Sequence, residues 1–170
     1  MSLVAAANPC PCGFLGHPTR PCACGPSAIE RYRARLSGPL LDRIDLQVWV
    51  QPVDPEALVQ GSPGEPSSQV RARVEASREK QRQRYATHPR GLGSNAELTG
   101  DDIRAAADPT PAASRALKDG MDRLGLSARG WARTLKVART IADLEGAPRV
   151  DAAHVLEATS YRLPATAEGT

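Results

Sequence analysis

Apolar positions along this chain follow two regimes. In the first fifty residues they come as short runs. Residues 3–7, Leu-Val-Ala-Ala-Ala, read as a short buried strand that enters a loop at Asn8-Pro9. Leu46, Val48 and Val50 alternate with polar or amphipathic neighbours, a strand pattern over residues 45–50. Between these runs Pro26-Ser27 opens a helix to about Leu36, Ser37-Gly38-Pro39 breaks it, and residues 40–43 form a turn. Beyond residue 66 the spacing turns helical. Ser67-Ser68 caps a long helix to about Ala86 whose inward stripe, Val70, Val74, Ser77, Gln81 and Tyr85, is weak, as in a helix that protrudes or forms an arm. A loop from His88 leads to a short helix over residues 99–107, capped by Thr99 or Asp101. Pro109 and Pro111 end it and start the next, which runs to about Leu124. Ser127 caps the best-formed helix, carrying Trp131, Leu135, Ala138, Ile141 and Ala142 at helical spacing to Glu145, with Gly146 past its end. A last helix starts at Val150-Asp151 and ends near Arg162.

Composition divides the chain at the same place. Residues 51–66 hold four prolines and two glycines, the make-up of a linker. The expected organisation is a strand-containing part over residues 1–53, a linker over 54–66, a helical domain over 67–163 and a disordered tail over 164–170. Met1-Ser2 resembles a cloning remnant on a truncated protein. Aromatic residues are 4% of the 170, so the core must be aliphatic. No apolar run approaches the roughly 20 residues of a bilayer span, and no signal peptide is recognisable. The expected setting is therefore the cytoplasm. Net charge is only +3, but residues 67–90 hold seven Lys/Arg against two Glu. Arg71, Arg78 and Arg82 on that stretch could follow a phosphate backbone, although a solvated basic helix reads the same way.

All four cysteines lie within fifteen residues, as Cys10-Pro-Cys12 and Cys22-Ala-Cys24. Two close thiol pairs on one loop suit structural, tetrahedral Zn²⁺, a borderline-soft ion that needs no redox chemistry. His17, inside the loop, could replace one thiolate. Free thiols and two disulfides are the alternatives, the latter disfavoured in a reducing compartment. With no neighbouring Glu as general base, a catalytic zinc is not expected.

Three segments resemble the ComM/YifB family of magnesium-chelatase-like AAA+ ATPases. Residues 3–13, Leu-Val-Ala-Ala-Ala-Asn-Pro-Cys-Pro-Cys-Gly, are similar to its sensor-1 strand and loop. Residues 36–46, Leu-Ser-Gly-Pro-Leu-Leu-Asp-Arg-Ile-Asp-Leu, are similar to its arginine-finger segment, with related forms in magnesium-chelatase I subunits and MCM helicases. Residues 125–144, from Gly-Leu-Ser-Ala-Arg-Gly-Trp, are similar to its sensor-2 helix. The resemblance implies a mainly α chain: a helical AAA+ lid preceded by a fragment of an α/β AAA+ core with two short strands. It also implies that Asn8 is sensor 1, that Arg43 is the arginine finger acting on ATP of a neighbouring subunit, and that Arg129 is sensor 2. Hexameric rings and action on DNA, in branch migration and natural transformation, are implied for the full-length protein. From spacing alone, Arg129, Arg133 and Lys136 form one cationic helix face, either solvated or in contact with phosphate. Arg43, flanked by Asp42 and Asp45, could equally orient a loop through an ion pair.

No G-x-x-x-x-G-K-[ST] occurs, and no apolar strand ends in the paired acid that holds Mg²⁺. The resemblance places both motifs upstream, so ATP and Mg²⁺ are expected only in the full-length protein, and this chain should not hydrolyse ATP alone. Two other readings of the residues are a zinc-bearing nucleic-acid-binding module and a helical interaction domain without chemistry.

Overall fold

A computed structural model of the chain describes residues 3–35, 38–41, 43–53, 59, 61 and 64–162. These fall into two compact units, one of residues 3–44 with 49–52 and the other of 45–48 with 53–162. The expected linker lies largely, and the expected tail wholly, outside the described residues.

The first unit is a cysteine-bearing loop followed by helix α1 (Pro26–Ala34), with proline in its first turn, and by a single turn α2 (Gly38–Leu41). α1 stops two residues short of the expected end at Leu36.

Neither expected strand forms a ladder. Among the described residues the only bridge is the isolated parallel pair Pro109–Val150. Val4 is 93% and Val50 86% exposed. A strand is stabilised by the partner that takes up its N–H and C=O groups, and among the described residues no strand runs beside these segments. The apolar alternation is present, but without a partner strand it leaves these side chains on the surface.

The second unit is helical, as the spacing predicts: α3 (Ser67–Tyr85), a 3₁₀ turn (Asn95–Glu97), α4 (Asp101–Ala107), α5 (Pro111–Leu124), α6 (Ala128–Glu145) and α7 (Ala152–Ser160). α6 is the centre. It packs against α3, α4, α5 and α7, while α5 also packs on α7. Leu98, Ile103, Ala107, Leu117, Leu135, Ala138, Val150 and Val155 are buried together, an aliphatic core as the composition requires. The expected cap at Ser127 holds, and the structure adds two more, at Thr110 and Asp151. Ser127 Oγ accepts from Gly130 N–H (3.0 Å) at α6, Thr110 Oγ1 from Ala113 N–H (3.1 Å) at α5, and Asp151 Oδ1 from Ala152 N–H (2.8 Å) at α7. Two expected caps fail. The residue before α3 is Pro66 and the residue before α4 is Gly100, and neither brings a side-chain acceptor.

The reading of α3 as a protruding arm needs correction. Its N-terminal half is open, with Val70 and Val74 exposed, but Ser77, Gln81 and Tyr85 are buried. The inward stripe looked weak because this half docks through polar groups. The Asn95 N–H donates to Gln81 Oε1 (3.1 Å), Tyr85 Oη donates to Asn95 Oδ1 (2.6 Å), and Lys80 Nζ donates to the Asp143 carbonyl (3.0 Å). No helix among the described residues is long and apolar enough to cross a membrane.

Candidate metal centre

The loop that holds the cysteines is shaped by its glycines. Gly13 takes a positive φ of 83° and donates its N–H to the Cys10 carbonyl (3.0 Å), which closes the turn over Cys10-Pro-Cys12. The connection to the second pair folds around Phe14. His17 stacks edge-on against that ring at 5.8 Å, and Arg20 lies over it at 5.4 Å.

The four Sγ atoms converge within 4.8 Å of one another. Cys10 to Cys12, Cys10 to Cys22 and Cys12 to Cys22 measure 3.4, 3.6 and 3.5 Å. These are too long for a disulfide at about 2.05 Å. They are near the edge, about 3.8 Å, of a tetrahedron with metal–sulfur bonds of about 2.3 Å. The cage therefore fits a metal, and the disulfide alternative falls away, since all four cysteines are free. His17 is not one of the ligands. Its Nδ1 accepts from the main-chain N–H of Thr19 (3.2 Å) and of Arg20 (3.1 Å), which fixes the loop instead.

The electrostatics favour anionic sulfur unevenly. Main-chain N–H groups of Phe14 and Ala23 pull Cys12 down to about 6, with help from the neighbouring thiols. At Cys22 the N–H of Cys24 pulls down, but desolvation and the Cys12 and Cys10 sulfurs outweigh it and push the thiol up to about 12. Cys24 is also raised: the Cys12 N–H opposes this, and the Cys12 sulfur and desolvation prevail. The Cys12 thiolate thus forms readily while Cys22 and Cys24 hold their protons, because like charges cannot accumulate so close together. A divalent cation removes that obstacle.

Asn8, the expected sensor 1, is exposed beside this loop, its amide 3.9 Å from where a Cβ on Gly13 would stand. Arg43 is exposed on the turn that its own N–H closes by donating to the Leu40 carbonyl (2.9 Å).

The cationic face of α6 divides by partner. Arg133 Nη1 donates to the carboxylate of Asp45, and Lys136 Nζ donates to the Ala96 carbonyl (3.1 Å). Burial lowers the Lys136 pKa, opposed by Asp45. Both Arg133 and Lys136 are therefore already engaged within the fold. Arg129, exposed in the first turn of α6, makes no hydrogen bond or ion pair among the described residues. On α3, Arg82 is paired with Glu79 (2.7 Å) and Arg78 donates weakly to Gln81 Oε1 (3.4 Å), while Arg71 is exposed. The basic stretch is therefore partly neutralised by its own helix.

The sequence reading missed a buried cluster. Asp143, on α6, accepts from Arg84 Nη1 (2.9 Å) and Asn95 Nδ2 (2.9 Å), and pairs with Arg139 at 3.0 Å. Arg139 also donates to the carbonyls of Pro148 (3.0 Å) and Ala147 (2.7 Å). The available signal was Arg139 and Asp143, four residues apart, interleaved with the apolar positions Ala138 and Ala142.

Comparison with known proteins places the chain. Residues 64–162 match the family described as magnesium chelatase, subunit ChlI C-terminal, and residues 1–58 match magnesium chelatase, subunit ChlI. An uncharacterized protein of Mycobacterium tuberculosis is 43% identical over 164 residues, covering 94% of this chain and 31% of that protein. The uncharacterized protein YifB of Salmonella typhimurium is 43% identical over 162 residues (94% and 30%). The competence protein ComM of Haemophilus influenzae is 40% identical over 163 residues, again 94% and 30%. The chain spans about a third of the length of the curated relatives it matches. Its helical unit coincides with the ChlI C-terminal match and its cysteine loop lies within the ChlI match, so the chain belongs to the magnesium chelatase ChlI family, among the relatives named YifB and ComM.

Proposed function

We propose that this chain is the sensor and lid portion of an ATP-driven AAA+ ring motor of the magnesium-chelatase type that works on DNA. The observation that carries the reading is the division of the α6 cations. Arg133 and Lys136 are held by Asp45 and Ala96, which leaves Arg129 exposed at the helix N-terminus. A guanidinium beside the positive end of a helix dipole is poor for stability and good for an anion. A phosphate oxygen of ATP is the anion that a lid helix would meet. In this reading Arg129 is sensor 2 and Asn8 orients the attacking water. Arg43 reaches the γ-phosphate bound by the neighbouring subunit of a hexameric ring.

The cysteine cage holds Zn²⁺. Four thiolates, no open position and no adjacent general base suit a structural ion that keeps the loop after Asn8 in place. Action on DNA is supported by the kinship with a protein named for competence and by the exposed Arg71 and its neighbour Arg78 on α3.

The test uses the full-length protein. Arg43→Ala and Arg129→Ala should each lower ATP turnover by about a thousandfold or more, the scale of an arginine finger. Mixing the Arg43→Ala and Arg129→Ala proteins should restore part of the activity, because Arg43 acts across a subunit boundary. The 170-residue chain alone should show no turnover and should contain one zinc by elemental analysis. Turnover by the isolated chain, or full activity in both arginine variants, would refute the reading. Tight, salt-sensitive DNA binding by the isolated chain that chelation abolishes would favour a zinc-bearing nucleic-acid module instead.

A further inference from the structure

We propose that Asp45 and Arg133 form a positioning pair that ties the segment following Arg43 to the helix that carries Arg129. The proposal rests on the nucleotide reading above and adds a residue pair to it. Arg133 Nη1 donates to Asp45 Oδ1 across 88 positions of sequence. The Arg133 side chain is 22% exposed and that of Asp45 53%.

Among the described residues, 45–48 form no ladder, and Leu46 and Val48 are 50% and 67% exposed, so burial of apolar surface does little to hold them. Polar contacts tie the segment down. They include the ion pair to α6 and the Gln47 N–H, which donates to the Tyr161 carbonyl (2.9 Å) just after α7. Arg133 is one helical turn beyond Arg129, about 6 Å along the axis. Asp45 is two residues beyond Arg43 in the chain. A shift of α6 therefore moves Arg129 directly and pulls on the segment behind Arg43 through Asp45. An exposed ion pair contributes little to stability. Its worth here is geometric, because misplacing a group by about 1 Å at a phosphoryl-transfer site can cost on the order of a hundredfold in rate.

Steady-state ATP turnover of the full-length protein tests this, with thermal melting alongside. Asp45→Asn and Arg133→Gln should each lower kcat by about tenfold, with KM for ATP and the melting temperature nearly unchanged. The charge-exchanged double variant, Asp45→Arg with Arg133→Asp, should recover most of kcat. Unchanged kcat in both single variants overturns the proposal, as does a loss that tracks melting temperature or that the exchange does not rescue. Arg43→Ala and Arg129→Ala serve as the reference. If they too leave turnover intact, the nucleotide reading itself fails. If they abolish it while Asp45→Asn and Arg133→Gln do not, only the positioning pair is lost.

Discussion

Asp143 has no exposed side-chain surface, yet its hydrogen bonds and ion pairs suit a carboxylate. Burial alone would raise its pKa. The hydrogen bonds from Arg84 and Asn95 and the charges of Arg139 and Arg84 outweigh burial and hold the pKa below the usual value. The consequence for acid stability has a definite sign. A depressed carboxylate contributes fully above its unfolded value, near pH 4, and its contribution is lost as the pH falls through the lower folded value. An acid titration of the helical unit followed by circular dichroism should therefore show stability falling below about pH 4. Asp143→Asn should flatten that dependence. Asp143→Ala is the harsher change, since it leaves Arg139, with a side chain 1% exposed, as a buried cation without its carboxylate. Chemical denaturation should show a loss of about 3–5 kcal/mol. If the loss were under 1 kcal/mol, the network would be decorative.

At the scale of elements, α6 is the part on which the others depend, and its ends are set by single residues. Ser127 closes the N-terminus through Gly130 N–H, and Gly146, at φ 80°, closes the C-terminus. Ser127→Ala should cost about 1 kcal/mol in denaturant unfolding. Gly146→Ala should cost more than a helix-interior change would, for two reasons. The left-handed conformation resists a side chain, and the new Cβ would stand 3.2 Å from Lys80 Nζ. Gly120 behaves in the opposite way. It lies inside α5, and a Cβ there would meet Thr159 at 3.6–3.7 Å, an ordinary contact. Gly120→Ala should stabilise the unit by about 0.5–1 kcal/mol through helix propensity. A loss in that variant would mean that α5 and α7 pack too closely for a methyl group.

At the scale of the whole chain, the two units are stabilised by different means. The helical unit has an aliphatic core and a buried ion network. The cysteine unit has among its described residues a single fully buried hydrophobic position, Cys10 itself. A metal can substitute for the missing core, because in small loop-rich units the free energy of metal binding is folding free energy. Chelation should therefore abolish amide protection over residues 8–25 while leaving residues 101–160 protected, as read by hydrogen exchange. Cys22→Ser should reproduce the chelated pattern without chelator. Equal loss in both regions would show that the helical unit depends on the metal. A cysteine region indifferent to chelation and to Cys22→Ser would remove the structural role of the cage.

By itself the sequence determined what depends on local periodicity and spacing. The helical register beyond residue 66, the cap at Ser127 and the doubled Cys-x-Cys were all legible because each is fixed within a few residues. The family was legible for a related reason, since three short motifs stand in order along the chain. What only the tertiary structure decided involves partners far apart in sequence. Pairing is required to turn an alternating segment into a strand, and residues 45–50 lack a ladder partner among the described residues. The polar seam of α3 reads as a failed amphipathic stripe until Asn95 and Asp143 are seen against it. Spacing put Arg129, Arg133 and Lys136 on one face. Asp45 and the Ala96 carbonyl occupy two of the three cations and leave Arg129 exposed. The sequence supplies every charge on that face, but which one stays open depends on what the chain folds back against.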